Sequence, residues 1–390
     1  MYARLLDLTK SKKSFFLWGQ RQTGKSSLLK KQFPSAHYID LLDSSEYLDY
    51  SSQPSLFAER LVNFKSGTLV IVDEVQRVPL LLNEIHKLIE TKKIIFGLCG
   101  SSARKLKRGQ ANLLGGRALR YELLGFSAYE LGQDFKLTDF LNRGYLPSHY
   151  LDNDYYLSLR SYVGDYLKEE IFSEGLVRNL PTFTRFLEVA AIGDSEIINN
   201  SNIGRETSVS SKTVQSYFDI LVDTLVGQYL PAYTKKPKRR IIQSPKFYFH
   251  DVGVVNFLAH RKNLKPKTSE FGKAFENWVF HELQCFIKYS LSDYPLSFWQ
   301  LTTGVEVDFI LGDMQIAIEA KSTEKVNDGH LKNLREIKKD YPSIKERIVV
   351  SLDRSTRQTE DGILILPYKE FIKRLWQNPL NPQVDISFED

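Results

Sequence analysis

Eight residues constrain this chain more than any others. Gly19-Gln20-Arg21-Gln22-Thr23-Gly24-Lys25-Ser26 has the spacing G-x-x-x-x-G-K-S. The apolar run Phe15-Phe16-Leu17-Trp18 precedes it, and Ser27-Leu28-Leu29-Lys30-Lys31, a good helix start, follows it. Strand, glycine loop and helix in that order form a phosphate cradle. The glycines let backbone N–H groups turn inward, and the helix N-terminus adds partial positive charge. The loop from Gly19 through Ser27 is therefore expected to bind ATP. Lys25 would reach the β- and γ-phosphates, and Ser26 would hold Mg²⁺.

The chain around the loop is globular and long. Its 390 residues exceed one ordinary core, at roughly 150 residues per domain. Hydrophobic residues at 42% and charged residues at 26% exclude a disordered, collagenous or rod-like chain. No apolar run approaches the roughly 18 residues of a membrane span, and the basic N-terminus lacks a secretory signal's apolar core. Cys99 and Cys285 cannot build a disulfide framework, so the expected location is cytoplasmic. Fifty-three Lys and Arg against 47 Asp and Glu give a net charge of +6, which permits a nucleic-acid partner without requiring one. The seven histidines show no metal-ligand spacing.

In the first third, apolar runs at 15–17, 38–42, 68–72, 94–99 and 118–124 alternate with amphipathic stretches. That alternation predicts an α/β domain with a parallel sheet covered by helices. The run at 68–72 ends in Asp73-Glu74, placing two carboxylates at the crevice where such sheets bind ligands. Asp73 would take Mg²⁺ and Glu74 would polarise the attacking water. The run at 94–99 ends in Gly100-Ser101-Ser102, hydroxyls that would sit between the two motifs. Gly115-Gly116-Arg117 then precedes the last run.

These parts in this order resemble the AAA+ ATPase superfamily. The resemblance implies that Ser101 or Ser102 is the sensor. It also implies that Arg117 reaches the γ-phosphate of a neighbouring subunit, with Arg104 and Arg120 as rivals. A homo-oligomeric ring follows, a hexamer being one size it could take. Leu124-Gly-Phe-Ser-Ala-Tyr-Glu-Leu131, Asn142-Arg-Gly-Tyr-Leu-Pro147 and Tyr162-Val-Gly-Asp-Tyr-Leu167 sharpen the likeness. They are similar to a prokaryotic group of two-part ATPases with an uncharacterised C-terminal region.

A second region reads as a helix–turn–helix. A short helix is expected from Ser195, and a second begins after Ser208, capped by Ser210 or Ser211. Val214, Tyr217, Phe218 and Leu221 recur on one face. Lys212, Thr213, Gln215 and Ser216 lie opposite, the residue types that a recognition helix offers a groove. The basic run Lys235-Lys236-Pro-Lys238-Arg239-Arg240 follows, before the apolar Lys246-Phe-Tyr-Phe249. Together they resemble a winged helix whose wing neutralises DNA phosphates.

The last third carries Glu276 on an amphipathic helix, Asp308 on a strand, a Gly312-Asp313 turn, and Glu319-x-Lys321 on the returning strand. Alternation along that strand puts Glu319 and Lys321 on one face. Such acids suit Mg²⁺ or Mn²⁺, with Lys321 holding or activating a water. Acids so close repel each other, so at least one should have a raised pKa. The set resembles the PD-(D/E)xK nucleases, although the Pro-Asp of that name is absent.

The expected domains are an ATPase domain at 1–135, a helical lid-like segment at 136–190, a winged helix at 191–262 and a nuclease-like α/β domain at 265–390. The expected function is ATP-driven binding and processing or remodelling of duplex or branched DNA. The rival is a nucleotide-dependent switch or scaffold for a protein partner, with a catalytically dead nuclease fold.

Overall fold

The structure, a computed structural model, describes residues 2–101, 114–167, 171, 177, 179–235, 239–292 and 294–377. Ser102, Arg104, Lys236 and Lys238 lie outside the described residues. The chain divides into two compact units. One comprises residues 3–125 with 223–226, and the other comprises 1–2, 126–222 and 227–390.

The first unit is an α/β domain. Strands β1 (Ser14–Trp18), β2 (His37–Asp40), β3 (Leu69–Asp73), β4 (Ile95–Gly100) and β5 (Ala118–Glu122) form one parallel sheet. Their order is β2-β3-β4-β1-β5. Phe16, Val70, Val72, Phe96 and Leu98 are wholly buried, as expected where helices cover a parallel sheet. Helix α1 (Lys25–Gln32) leaves the end of β1, and after the short helices α2 (Ser44–Ser52) and α3 (Ser55–Arg60), α4 (Leu81–Lys92) buries Leu81, Leu82, Ile85 and Leu88. Since β4 lies between β1 and β3, the loops leaving β1 and β3 flank a reversal of strand order, where such sheets bind ligands.

The second unit opens with helices α5 (Ala128–Leu131), α6 (Leu137–Arg143), α7 (Pro147–Tyr150), α8 (Tyr155–Ser161) and α9 (Leu180–Ile192). The short helix expected from Ser195 is absent there. Ser195 has a φ of 68°, and the helix α10 (Asn200–Thr207) starts later because the Asn199 side chain caps it by accepting from Asn202 N–H. Helix α11 (Ser211–Asp223) follows, with Ser210 Oγ accepting from Thr213 N–H at 3.1 Å. Its apolar face, Val214, Tyr217, Phe218 and Leu221, is buried as its spacing predicts. The strands β6 (Gly227–Leu230) and β7 (Lys246–Phe249) then pair antiparallel.

Past α12 (Val252–Leu258), helix α13 (Ser269–Tyr289) precedes a six-stranded mixed sheet. Its strands are β8 (Leu296–Gln300), β9 (Glu306–Leu311), β10 (Ile316–Lys321), β11 (Glu346–Ser351), β12 (Arg357–Gln358) and β13 (Ile363–Pro367), ordered β12-β13-β11-β10-β9-β8. Alternation assigns their side chains to two cores. Phe309, Ile316, Ile318, Ile348 and Val350 pack in a cluster with Trp278, Val279 and Leu283 of α13. Ile310, Ala317 and Val349 pack in another with Leu331, Leu334 and Ile337 of α14 (Asp328–Asp340). Helix α15 (Tyr368–Gln377) joins the first core through Phe371, Ile372 and Leu375.

Candidate functional site

In the first unit, the phosphate loop is held open by contacts that exclude other residue types. Gly24 has a φ of 89°, and a Cβ on Gly19 would lie 2.4 Å from the Leu123 carbonyl oxygen. Gly24 precedes helix α1 at its N-cap and offers no side-chain cap, so the first N–H groups of the helix are left for a ligand. Arg4 braces the loop from outside: Nη1 donates to Thr23 O at 2.7 Å, and Nη2 to Leu124 O at 2.7 Å and Gly125 O at 2.9 Å. Lys25 is buried and donates to the carbonyls of Gly19 and Gln20, each at 2.8 Å. Burial pulls the pKa of its ammonium down, against the charges near it at Glu74 and Asp73. Gln20 Nε2 is buried without a partner among the described residues, a donor in place for an anion.

Asp73, the last residue of β3, faces the loop. Its Oδ2 accepts from Ser26 Oγ at 2.6 Å and from Tyr38 Oη at 2.9 Å. An alkoxyl and a carboxylate side by side at a phosphate loop fit the coordination of Mg²⁺. Glu74 adopts a left-handed conformation, φ 56° and ψ 41°, and its carboxylate accepts from Gln76 Nε2. The same Gln76 nitrogen lies 3.2 Å from Ser101 Oγ, so one amide ties the acid after β3 to the hydroxyl after β4. The Cys99 thiol is buried near Asp73, and burial pushes its pKa well up, which keeps it neutral. Arg117 lies at the other edge of the sheet. The first residue of β5, Ala118, pairs with Ser14, whereas the loop follows Trp18 at the far end of β1. Its guanidinium pairs with Glu90.

Sequence reasoning missed Tyr38, Gln76, Cys99 and Arg4. Tyr38 comes near Asp73 only because β2 pairs with β3, a register that the sequence does not reveal. Gln76 lay within local reach, three residues past the Asp73 that ends its strand.

In the second unit, acids converge where β9 begins and β10 ends. The ladder pairs Ile318 with Phe309, which sets Glu319 opposite Asp308 one step further. Asp308 Oδ2 accepts from Ala320 N–H at 2.8 Å, and Lys321 Nζ donates to Glu319 Oε2 at 2.5 Å and lies 3.7 Å from Asp308. Burial pushes the Glu319 pKa well up, reinforced by Asp308, with Lys321 opposing. Asp308 goes the other way. Burial opposes its charge, but Lys321, Lys246 and the Ala320 N–H outweigh that and hold it below the usual range. Burial also raises Glu276, with Lys246 opposing.

Among the described residues, three carboxylates, Glu276, Glu306 and Asp308, approach within 4.8 Å of one another. Glu306 was overlooked, although it lies two residues before Asp308 on the same strand. Glu276 accepts from Lys246 Nζ at 3.0 Å and from Tyr248 Oη at 2.6 Å, both on β7. A cleft of about 680 Å³ opens beside the cluster, lined by Lys267, Ser269, Glu276, Lys321, Thr323 and Lys325 among others.

The basic run before β7 is partly occupied. Arg239 Nε lies 2.9 Å from Asp340 Oδ2, its Nη1 pairs with Glu336, and its guanidinium sits over Trp299. Lys235 lies 3.2 Å from Asp313, both exposed. Ile241 bridges to Leu301, and Ile242 N–H donates to Gln300 O. Arg239 thus fastens this stretch to α14 through Glu336 and Asp340. On α11, Gln215 bonds to Asn200, Asp219 and Tyr229 Oη, and Thr213 shares the Ser210 hydroxyl. Lys212 is exposed.

Comparison with known proteins divides the chain in three. Residues 11–132 match the family model described as "AAA domain". The first third is thus a P-loop ATPase domain of the AAA type. Residues 134–265 and 271–371 match two models described as domains of unknown function, DUF8612 and DUF4143. Uncharacterized proteins of Mycobacterium tuberculosis and Mycobacterium bovis are each 26% identical over 300 residues. That region is 75% of this chain and 66% of theirs, so the match spans slightly under two-thirds of these relatives. Among solved structures, a Walker-type ATPase of Pyrococcus abyssi aligns at 16% identity and a TM-score of 0.37, over 63% of this chain and 90% of its own. The ORC2 protein of Aeropyrum pernix, in its ADP form, aligns at 13% and 0.33, over 64% and 88%. Among the described residues, no helix is long and apolar enough to cross a membrane.

Proposed function

We propose that this AAA protein binds and hydrolyses ATP, and that turnover drives binding and remodelling or processing of duplex or branched DNA. The observation that carries the reading is the hydrogen bond from Ser26 Oγ to Asp73 Oδ2, 2.6 Å, beside the buried Lys25. The N–H groups of Gly19 to Ser27 and the Lys25 ammonium would hold the phosphates, and Ser26 and Asp73 the Mg²⁺, which supplies charge neutralisation when bound. Glu74 accepts the proton of the attacking water, held in aim by Gln76, and Ser101 orients that water. Arg117, at the far edge of its own sheet, serves a neighbouring copy in a homo-oligomeric ring.

The order α9, α10, α11, β6, β7 fits a winged helix, which supports DNA contact through Lys212, Lys235, Lys236, Lys238 and Arg240. The order α13, β8, β9, β10, α14, β11 fits a PD-(D/E)xK core and supports that reading. Glu276, Glu306, Asp308 and Glu319 would hold Mg²⁺ or Mn²⁺ there, and Lys321 the water. Glu319 Oε1, buried without a partner among the described residues, is an acceptor that such a cation would meet. We also propose domain limits near 135, 190 and 262–265, and a cytoplasmic location.

The test is the ATPase rate with and without linear, single-stranded and branched DNA. Stimulation is expected. A rate indifferent to every DNA would leave ATP hydrolysis standing and overturn the DNA partner. A second reading, a nucleotide switch with a silent nuclease fold, is favoured by Lys246, whose ammonium already lies between two of the acids.

A further inference from the structure

The acid cluster where β9 begins and β10 ends is met by a side chain from outside the C-terminal sheet. Strand β7 alternates Lys246, Phe247, Tyr248 and Phe249, all four buried. The two phenylalanines turn to the helical side, where Phe247 packs against Phe218 of α11 at 4.8 Å between ring centroids. Lys246 and Tyr248 turn the other way. The Tyr248 ring stacks on Phe280 at 4.1 Å, and its hydroxyl donates to Glu276 Oε1. Lys246 Nζ lies 3.0 Å from the same oxygen and pairs with Glu306 Oε1. Its side chain is 4% exposed. A lysine is not buried to that degree without compensating acids.

Among the described residues, Glu276 and Glu306 are two of three carboxylates that approach within 4.8 Å of one another, Asp308 being the third. The ammonium therefore takes two of the contacts that a divalent cation would make. Glu319 Oε1, in a side chain with no exposure, has no partner among the described residues. The ammonium thus satisfies one side of the cluster and leaves an acceptor unmet on the other.

We propose that Lys246 is a resident cation of this site. It neutralises Glu276 and Glu306 in place of a divalent metal, and Mg²⁺ or Mn²⁺ enters only when β7 withdraws the ammonium. The inference rests on the reading of these acids as a metal site and names what competes for it. Lys246 lies on the strand whose other face packs on α11, so the helix–turn–helix segment and the acid site share one structural element. A displacement of β7 would alter both.

The experiment measures Mn²⁺ binding to the nucleotide-free full chain by electron paramagnetic resonance, with thermal melting alongside. Wild type is expected to show no tight Mn²⁺ at this site. Lys246→Met should bind at least ten-fold more tightly, and Glu306→Gln in that background should remove the binding. Lys246→Met should also melt lower than wild type without metal, and Mn²⁺ should raise its melting temperature but not that of wild type. Lowered stability that metal does not restore, with no binding, would overturn both the proposal and the metal reading beneath it. Tight binding by wild type that disappears in Asp308→Ala would keep the metal site and overturn the role of Lys246. That last result needs no folded Lys246 variant.

Discussion

Ser26 and Asp73 are 47 residues apart in sequence and joined by a 2.6 Å hydrogen bond. The bond exists because β1 and β3 lie parallel with β4 between them, so the loops at their carboxyl ends open onto one crevice. Lys25→Ala should abolish ATP turnover, since it removes the cation that meets the phosphates. Glu74→Gln should retain ATP binding and lose hydrolysis by about 100-fold or more. Fluorescent-nucleotide binding beside phosphate release checks both, and normal turnover by either variant would sink the assignment.

Gln76 touches both Glu74 and Ser101, so it is a positioning residue. Gln76→Leu should lower kcat by roughly ten-fold with KM for ATP unchanged, a fraction of what the acid itself contributes. A variant that loses affinity instead would mark Gln76 as part of the nucleotide pocket.

Arg117 cannot serve its own loop from the amino edge of the sheet. Arg117→Ala should slow hydrolysis while ATP binding survives. Mixing it with Glu74→Gln subunits should restore part of the rate at hybrid interfaces. No recovery in proven mixed oligomers would leave Arg117 as the partner of Glu90 alone.

The basic stretch should split in its behaviour. Lys212→Ala and Arg240→Ala should weaken DNA binding and flatten its salt dependence, because fewer counterions are released. Arg239→Ala should leave the salt slope alone and lower stability by about 1 kcal/mol, as a half-exposed pair allows. DNA titrations at several salt concentrations and urea unfolding separate the two effects.

Two buried acids give the second unit a pH signature. Burial raises Glu282 to about 8 and Asp194 to about 7. Both folded values lie above the unfolded ones, so the stability they contribute is complete below about pH 4. It is lost as pH rises toward 7 and 8, at up to about 1.4 kcal/mol per pH unit for each group. Urea midpoints at pH 5, 6.5 and 8 should fall in that order. Glu282→Gln should flatten the decline, and an unchanged slope would mean that Glu282 is ionised in the folded protein.

The parts of this protein that were legible in its sequence are those encoded within a dozen adjacent residues. Gly19 to Ser26, the strand ending in Asp73, and the buried face of α11 all follow from local spacing. The pairing of Glu319 with Asp308 also followed, because one turn joins their strands. Contacts set by topology stayed hidden. Tyr38 meets Asp73 through a strand register, and Lys246 meets Glu276 across 30 residues with no shared motif. The helix expected at Ser195 starts later, at Asn200, because the Asn199 side chain caps it there. Charge density in the basic run likewise does not show that Asp340 and Glu336 will fold against Arg239.

Strand β7 has one residue of tolerance in neither direction. A slip by a single position would aim two benzyl rings at Glu276 and turn an ammonium and a phenol toward Phe218. The helical segment and the C-terminal sheet are thus not interchangeable modules joined at 263–268. Grafting either onto a foreign neighbour would strand a charge on each side of the cut, and substitutions at 246 and 276 should be tolerated only in compensating pairs.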